Sequence, residues 1–114
     1  MSGRRSSGLA AKATIFAALG DETRLSLLAK LGKGQRYSIS QLAEGTKLTR
    51  QGVTKHLQVL ERAHMVHAKR AGRENLFELD PKPIQELSEY LDMVSKQWDA
   101  ALARLKAFVE SKHS

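Results

Sequence analysis

Ser38–Leu79 reads SISQLAEGTKLTRQGVTKHLQVLERAHMVHAKRAGRENLFEL, and its punctuation decides the fold. Ser38 with Gln41 three residues on is a capping box that opens a short helix. Leu42 and Ala43 of that helix point inward, and Gly45 is suited to the left-handed position that ends it. Thr46-Lys47-Leu48 makes a turn with Leu48 as its apolar plug. Thr49 then supplies an N-cap oxygen for a second helix.

The second helix is expected over residues 50–63. At about 100° per residue, Val53, Leu57 and Leu60 share one narrow apolar sector. Gln51, Thr54, Lys55, Gln58 and Arg62 occupy the opposite side, with Arg50 at its edge. Gly52 costs roughly 0.5–1 kcal/mol relative to alanine in a helix interior. Two accounts fit it: close approach of another backbone, or the tolerance of a first helical turn. Beyond the helix, Val66–Arg70 and Asn75–Leu79 alternate as hairpin strands across Ala71-Gly72-Arg73, with Val66 and Ala68 facing one side, as do Phe77 and Leu79 in the partner strand. Lys69, Arg70 and Arg73 cluster at or near the tip. A helix, a glycine-containing turn, a capped amphipathic helix and a basic hairpin over residues 66–79 form the layout of a winged helix-turn-helix.

Flanking segments extend that reading. Leu9–Leu19 has a helical stripe of Leu9, Ala13, Phe16 and Ala17, with Ile15 and Leu19 beside it. Gly20 follows as a C′ glycine able to take positive φ. Asp21 is an N-cap for a helix to about Leu31, with Leu25, Leu28 and Leu31 toward the core and Leu27 flanking. After Asp80-Pro81-Lys82-Pro83, Ile84, Leu87, Leu91, Val94, Trp98, Ala101, Leu105 and Phe108 recur at alternating three and four, a heptad pattern. A helix over residues 83–112 would be roughly 45 Å long. Its length and apolar stripe call for a second subunit. The fold class expected is mainly α (α+β), with a two-stranded β wing and a long terminal dimerisation helix. Residues 9–112 make one domain behind a tail at residues 1–8, where Arg4 and Arg5 are positioned to add phosphate contacts.

Charge points to a partner. The chain of 114 residues carries a formal net charge of +7. Between Arg36 and Arg73 eight basic residues face two acidic ones, an excess of six in about a third of the chain. Concentration of that kind suits a polyanion. On the outer helix face, Gln pairs with adenine, Arg or Lys with guanine O6 and N7, and Thr with a thymine methyl. The candidate DNA contacts are therefore Arg50, Gln51, Thr54, Lys55, Gln58, Lys69, Arg70 and Arg73.

Other chemistries lack their residues. There is no cysteine, which removes disulfides, zinc–thiolate sites and thiol nucleophiles. His56, His64, His67 and His113 form no zinc-ligand spacing. Neither a nucleophile elbow nor a triad pattern is present. Gly32-Lys33-Gly34-Gln35 lacks phosphate-loop spacing. No apolar run approaches the roughly 20 residues that span a bilayer. No enzyme, metal, cofactor or membrane role is expected, and the absence of cysteine fits a cytoplasmic setting.

These motifs together resemble the arsenic-repressor (ArsR/SmtB) family of bacterial winged-helix regulators over about Ala13 to Glu110. Ala18-Leu19-Gly20-Asp21-Glu22-Thr23-Arg24-Leu25 is similar to the family's opening. Val53-Thr54-Lys55-His56-Leu57-Gln58-Val59-Leu60 resembles its recognition helix. Ala63-His64-Met65-Val66 resembles the entry to its wing, with His64 in place of the usual glycine, and histidine tolerates left-handed backbone well. Gly72-Arg73 with Leu76-Phe77-Glu78-Leu79 resembles the wing itself. Trp98-Asp99-Ala100-Ala101-Leu102-Ala103-Arg104-Leu105 is similar to the ending of a metal-independent subgroup that includes autorepressors.

The resemblance implies a homodimer held by the first and last helices, repressing transcription from an inverted-repeat operator. Its contact positions fall on Arg50, Gln51, Thr54, Lys55 and Arg73. The expected dimer interface is Ile15, Phe16, Leu19, Leu91, Val94, Trp98, Leu102, Leu105 and Phe108. The family's metal sites do not carry over: a cysteine motif is replaced by Ser38–Gly45, and Asp92 is followed by Met93 and Val94 rather than by a histidine. Release of DNA is left to a ligand, a partner or protein concentration, and the effector is unknown. A protein-interaction module docking through the long helix is the alternative.

Overall fold

The computed structural model describes residues 8–112. The elements run α1 (Leu9–Leu19), α2 (Glu22–Leu31), β1 (Tyr37–Ser38), α3 (Ile39–Ala43), α4 (Arg50–Arg62), β2 (Val66–Ala71), β3 (Glu74–Leu79) and α5 (Lys82–Lys112). The chain divides into two compact units, Met1–Ile84 and Gln85–Ser114. Arg4, Arg5 and His113 lie outside the described residues. Gly8, assigned to the tail by sequence, is instead the N-cap of α1, and its carbonyl accepts from Lys12 N (3.1 Å).

In the first unit, α2, α3 and α4 pack around Leu31, Leu42, Val53, Leu57, Leu60 and Met65, all essentially inaccessible to solvent. The caps form as their sequence requires. Asp21 Oδ2 accepts from Arg24 N, Ser38 and Gln41 complete a reciprocal capping box, and Thr49 Oγ1 accepts from Gly52 N. Each satisfies an amide that the first helical turn leaves without a partner. A β-carbon on Gly52 would sit 3.3 Å from that Thr49 oxygen. Its place in the first turn, against its own cap, is the second of the two accounts above.

The end of α4 is a Schellman motif. Met65 N donates to Leu60 O and His64 N to Glu61 O, both at 2.9 Å. His64 takes φ 60°, the left-handed value that motif needs, and Met65 is buried beyond it. Helix α4 therefore stops at Arg62, with Ala63 as C-cap rather than its last residue. At the end of α3, Gly45 takes φ 76°.

The sheet is three-stranded and antiparallel, in the order β1-β3-β2. In the wing, Val66 pairs with Leu79 and Ala71 with Glu74. The turn is Gly72-Arg73 alone, one residue shorter than expected. Gly72 at φ 64° meets the positive φ that a two-residue hairpin demands at its first central position. Strand β1 was not foreseen. Tyr37 pairs with Phe77 and Ser38 with Leu76, and two residues are too few to show alternation.

Two other expectations fail. Gly20 has φ −81° and ends α1 without positive φ. In α2 the buried residues are Leu27, Leu28 and Leu31, while Leu25 is 49% exposed. The buried face is centred near Leu27, Leu28 and Arg24, which places Leu25 roughly 110° away. Arg24 holds the position that an i, i+3 leucine stripe had claimed.

From Gln85 to Lys112 the chain is helix alone. The whole of α5 has 31 residues, about 46 Å at 1.5 Å per residue. Leu91, Trp98, Leu102, Leu105 and Phe108 are exposed along it, Trp98 by 64%. No described helix is long and apolar enough to cross a membrane.

Candidate nucleic-acid interface

The outer face of α4 presents the polar residues that its wheel predicts. Arg50, Gln51, Thr54, Lys55 and Gln58 line one open groove with Ile39 of α3, with a volume of about 520 Å³. The side chains of Arg50, Gln51, Lys55 and Gln58 form no hydrogen bond or ion pair with other described residues, so their donors and acceptors face solvent. Thr54 differs. Its hydroxyl donates to Arg50 O at 2.8 Å, which leaves its methyl group and oxygen lone pairs facing outward. Arg62 bends back, donating from Nε to Gln58 O at 3.3 Å.

The wing cations separate. Arg73 lines a second notch with Arg50, at the junction of α3, α4 and the hairpin. Arg70 donates from Nε to Gly72 O (3.1 Å), which folds it over the turn. Lys69 lies on the opposite sheet face from Arg70, as neighbours in a strand must. There its Nζ meets Glu78 Oε1 at 3.0 Å, while Arg36 Nε donates to Glu78 Oε2 at 3.1 Å. Sequence reading counted Lys69 as free charge. Its partner lies on the neighbouring strand, and only register reveals it. Ser40 and Asn75, which line the Arg73 notch, were also missed. The signal for Asn75 was its pairing opposite Arg70.

Orientation of α4 is fixed from behind by Arg24. Its guanidinium donates to Ala18 O (2.7 Å) and Ala17 O (3.3 Å) at the end of α1, and to His56 Nδ1 of α4 (3.3 Å). Asp21 Oδ2 lies 3.8 Å from the same His56 nitrogen. One side chain therefore ties α1, α2 and α4 together.

A family model for a helix-turn-helix domain matches residues 19–67. The HTH-type transcriptional regulator Rv2034 of Mycobacterium tuberculosis is 30% identical over 95 residues, covering 83% of this chain and 85% of that protein. An ArsR-like transcriptional regulator from Rhodococcus sp. RHA1 superposes with a TM-score of 0.82 at 32% identity, over 97% of both chains. This chain belongs to the ArsR-like transcriptional regulators. A homodimeric winged helix-turn-helix DNA-binding domain from Mycobacterium bovis shares the fold, with a TM-score of 0.62 at 22% identity over 90% of this chain and 91% of that one.

In this ArsR-like regulator three carboxylates are held ionised at the edges of the DNA-binding unit. The Arg24 amide lowers the pKa of Asp21. Hydrogen bonds from Lys69, then Arg36, lower that of Glu78. The Lys82 amide, then His67, lower that of Asp80. Asp80 Oδ2 meets His67 Nε2 at 2.8 Å, and Oδ1 accepts from Lys82 N at 3.0 Å. Asp80 thereby joins the start of β2 to the first turn of α5. Among the described residues no group of three or more His, Cys, Asp or Glu is arranged to hold a metal ion.

Proposed function

We infer that this regulator acts as a homodimeric, metal-independent repressor in the cytoplasm, binding an inverted-repeat operator. The observation that carries the reading is the open groove of Arg50, Gln51, Thr54, Lys55 and Gln58 on a capped 13-residue helix. A helix so furnished fits the major groove, where Gln51 and Gln58 discriminate bases and Lys55 anchors phosphate. Arg73, with Arg70 behind it, approaches the flanking backbone or minor groove. Lys69 is a weaker contributor, because a duplex must compete with Glu78 for it.

The dimer reading rests on α5. Phe16, Leu91, Trp98, Leu102, Leu105 and Phe108 are exposed in the subunit, and Leu19 and Val94 are half-buried. Ile15, expected at the interface, is instead 8% exposed and belongs to the subunit's own core, so it leaves the set of candidate interface residues. The homodimeric Mycobacterium bovis domain offers a precedent in the same fold. A two-fold dimer sets its reading helices about one turn of DNA apart.

Footprinting on DNA upstream of the protein's own gene, with chelator present, tests the reading. Two protected half-sites with centres about 34 Å apart are expected. A stable dimer that protects no duplex would favour the protein-interaction module, with α5 as its docking surface.

A further inference from the structure

We propose that the notch between α3, α4 and the wing is a seat for a single DNA backbone phosphate, held jointly by Arg50 and Arg73 with Ser40 and Asn75 as neutral donors. The proposal rests on the DNA-binding reading above and adds to it a shared ligand and two residues. The notch has a volume of about 210 Å³ and is lined by Ser38, Ile39, Ser40, Arg50, Arg73, Glu74 and Asn75. That is several times the roughly 30 Å³ share of one water, so a phosphodiester group fits.

The polar lining is sorted by what is already engaged. Ser38 is committed to the capping box, its hydroxyl accepting from Gln41 N and its amide donating to Gln41 Oε1. Ser40, Arg50, Arg73 and Asn75 are exposed, and their side chains have no hydrogen bond or ion pair with other described residues. Arg50 comes from the first turn of α4 and Arg73 from the wing turn, 23 residues apart in sequence. Fold topology alone brings them to one cavity.

Two guanidinium groups facing one opening repel each other unless an anion lies between them. Glu74 on the rim supplies one negative charge, which leaves an excess of one positive charge. A phosphodiester carries a single negative charge and acceptor oxygens that match the guanidinium fork. A base edge has no such charge. The seat would lock the wing to the reading helix at one point on the backbone, fixing the register in which Gln51 and Thr54 meet bases.

The test is a scan of neutral methylphosphonate substitutions, one phosphate at a time, across the footprinted duplex. Full-length wild type, Arg50→Gln and Arg73→Gln are compared. Both arginines are exposed, so these variants should fold normally, and circular dichroism verifies it. For wild type, several phosphates should be sensitive. In both variants sensitivity should diminish at one and the same phosphate of each half-site. Ser40→Ala and Asn75→Ala should each weaken binding about two- to tenfold, and Glu74→Gln should tighten it. Loss of sensitivity at two different phosphates, or at none, would overturn the shared seat while leaving the DNA reading intact. Failure of wild type to bind any duplex would remove that reading, and the seat with it.

Discussion

Replacing His64 by glycine should stabilise the protein, even though it deletes a whole side chain. His64 sits at C′ of the Schellman motif with φ 60°, the sole described non-glycine residue with positive φ. Its side chain is exposed and makes no hydrogen bond or ion pair among the described residues, so its loss removes no contact. Left-handed backbone costs an L-residue roughly 1–2 kcal/mol, and histidine belongs at the lower end because it tolerates that region well. Glycine removes this strain but adds about 0.4–1 kcal/mol of unfolded-state entropy. The expected net gain is about 0.3 kcal/mol. For a chain of this size that raises Tm by roughly 1 °C. Thermal unfolding should be followed at fixed protein concentration, since assembly shifts apparent stability. His64→Ala is the control, because it keeps the β-carbon and should bring no gain. The reasoning is refuted if glycine lowers Tm, or if alanine raises it equally. Duplex affinity should be unchanged in both, because His64 lines neither the α4 groove nor the wing notch.

Four further outcomes follow from the same geometry. Gln51→Ala should lose about 1–3 kcal/mol of discrimination at one base pair per half-site, seen as relaxed preference in a selection from random duplexes with only a modest change in salt slope. Arg24→Gln should destabilise by about 1–3 kcal/mol in urea unfolding, since hydrogen bonds to two α1 carbonyls and to His56 are lost; an unchanged midpoint would show that the tie is idle. Trp98→Ala should weaken the dimer by roughly thirtyfold or more in sedimentation equilibrium if Trp98 is a central anchor, and an undisturbed dimer would place the interface elsewhere. Asp21, Glu78 and Asp80 all have lowered pKa values. Their contribution to stability is complete above the unfolded carboxylate range near pH 4 and is lost as pH falls through the lower folded values. Asp80→Asn should therefore flatten the acid limb of stability against pH, while an unaltered limb would count against that role.

Local chemistry was legible in the sequence, and distant pairing was not. Asp21, Ser38 and Thr49 cap helices because the amides they satisfy lie two or three residues away, so spacing alone specifies them. The polar face of α4 follows from periodicity within one helix, whereas the left-handed turn at His64 was expected only through the resemblance of Ala63-His64-Met65-Val66 to a family's wing entry. Leu25 was misplaced because Arg24 occupies the inner face of α2, and its acceptors on α1 and α4 are set by tertiary packing. Strand β1 exists only because β3 offers an open edge. The neutralisation of Lys69 by Glu78 depends on hairpin register, and the meeting of Arg50 with Arg73 depends on how the wing folds back.

Fluorescence-anisotropy titration most directly tests the claim that this fold reads DNA sequence. Purified protein would be titrated into its own upstream duplex and into a scrambled duplex of equal composition, with chelator, across a salt series. Tighter binding to the upstream duplex at every salt concentration, with log affinity falling steeply and linearly in log salt, is the predicted result. Equal affinity for both duplexes would contradict sequence reading by α4 at that site, and no binding at low salt would contradict DNA recognition by this protein altogether.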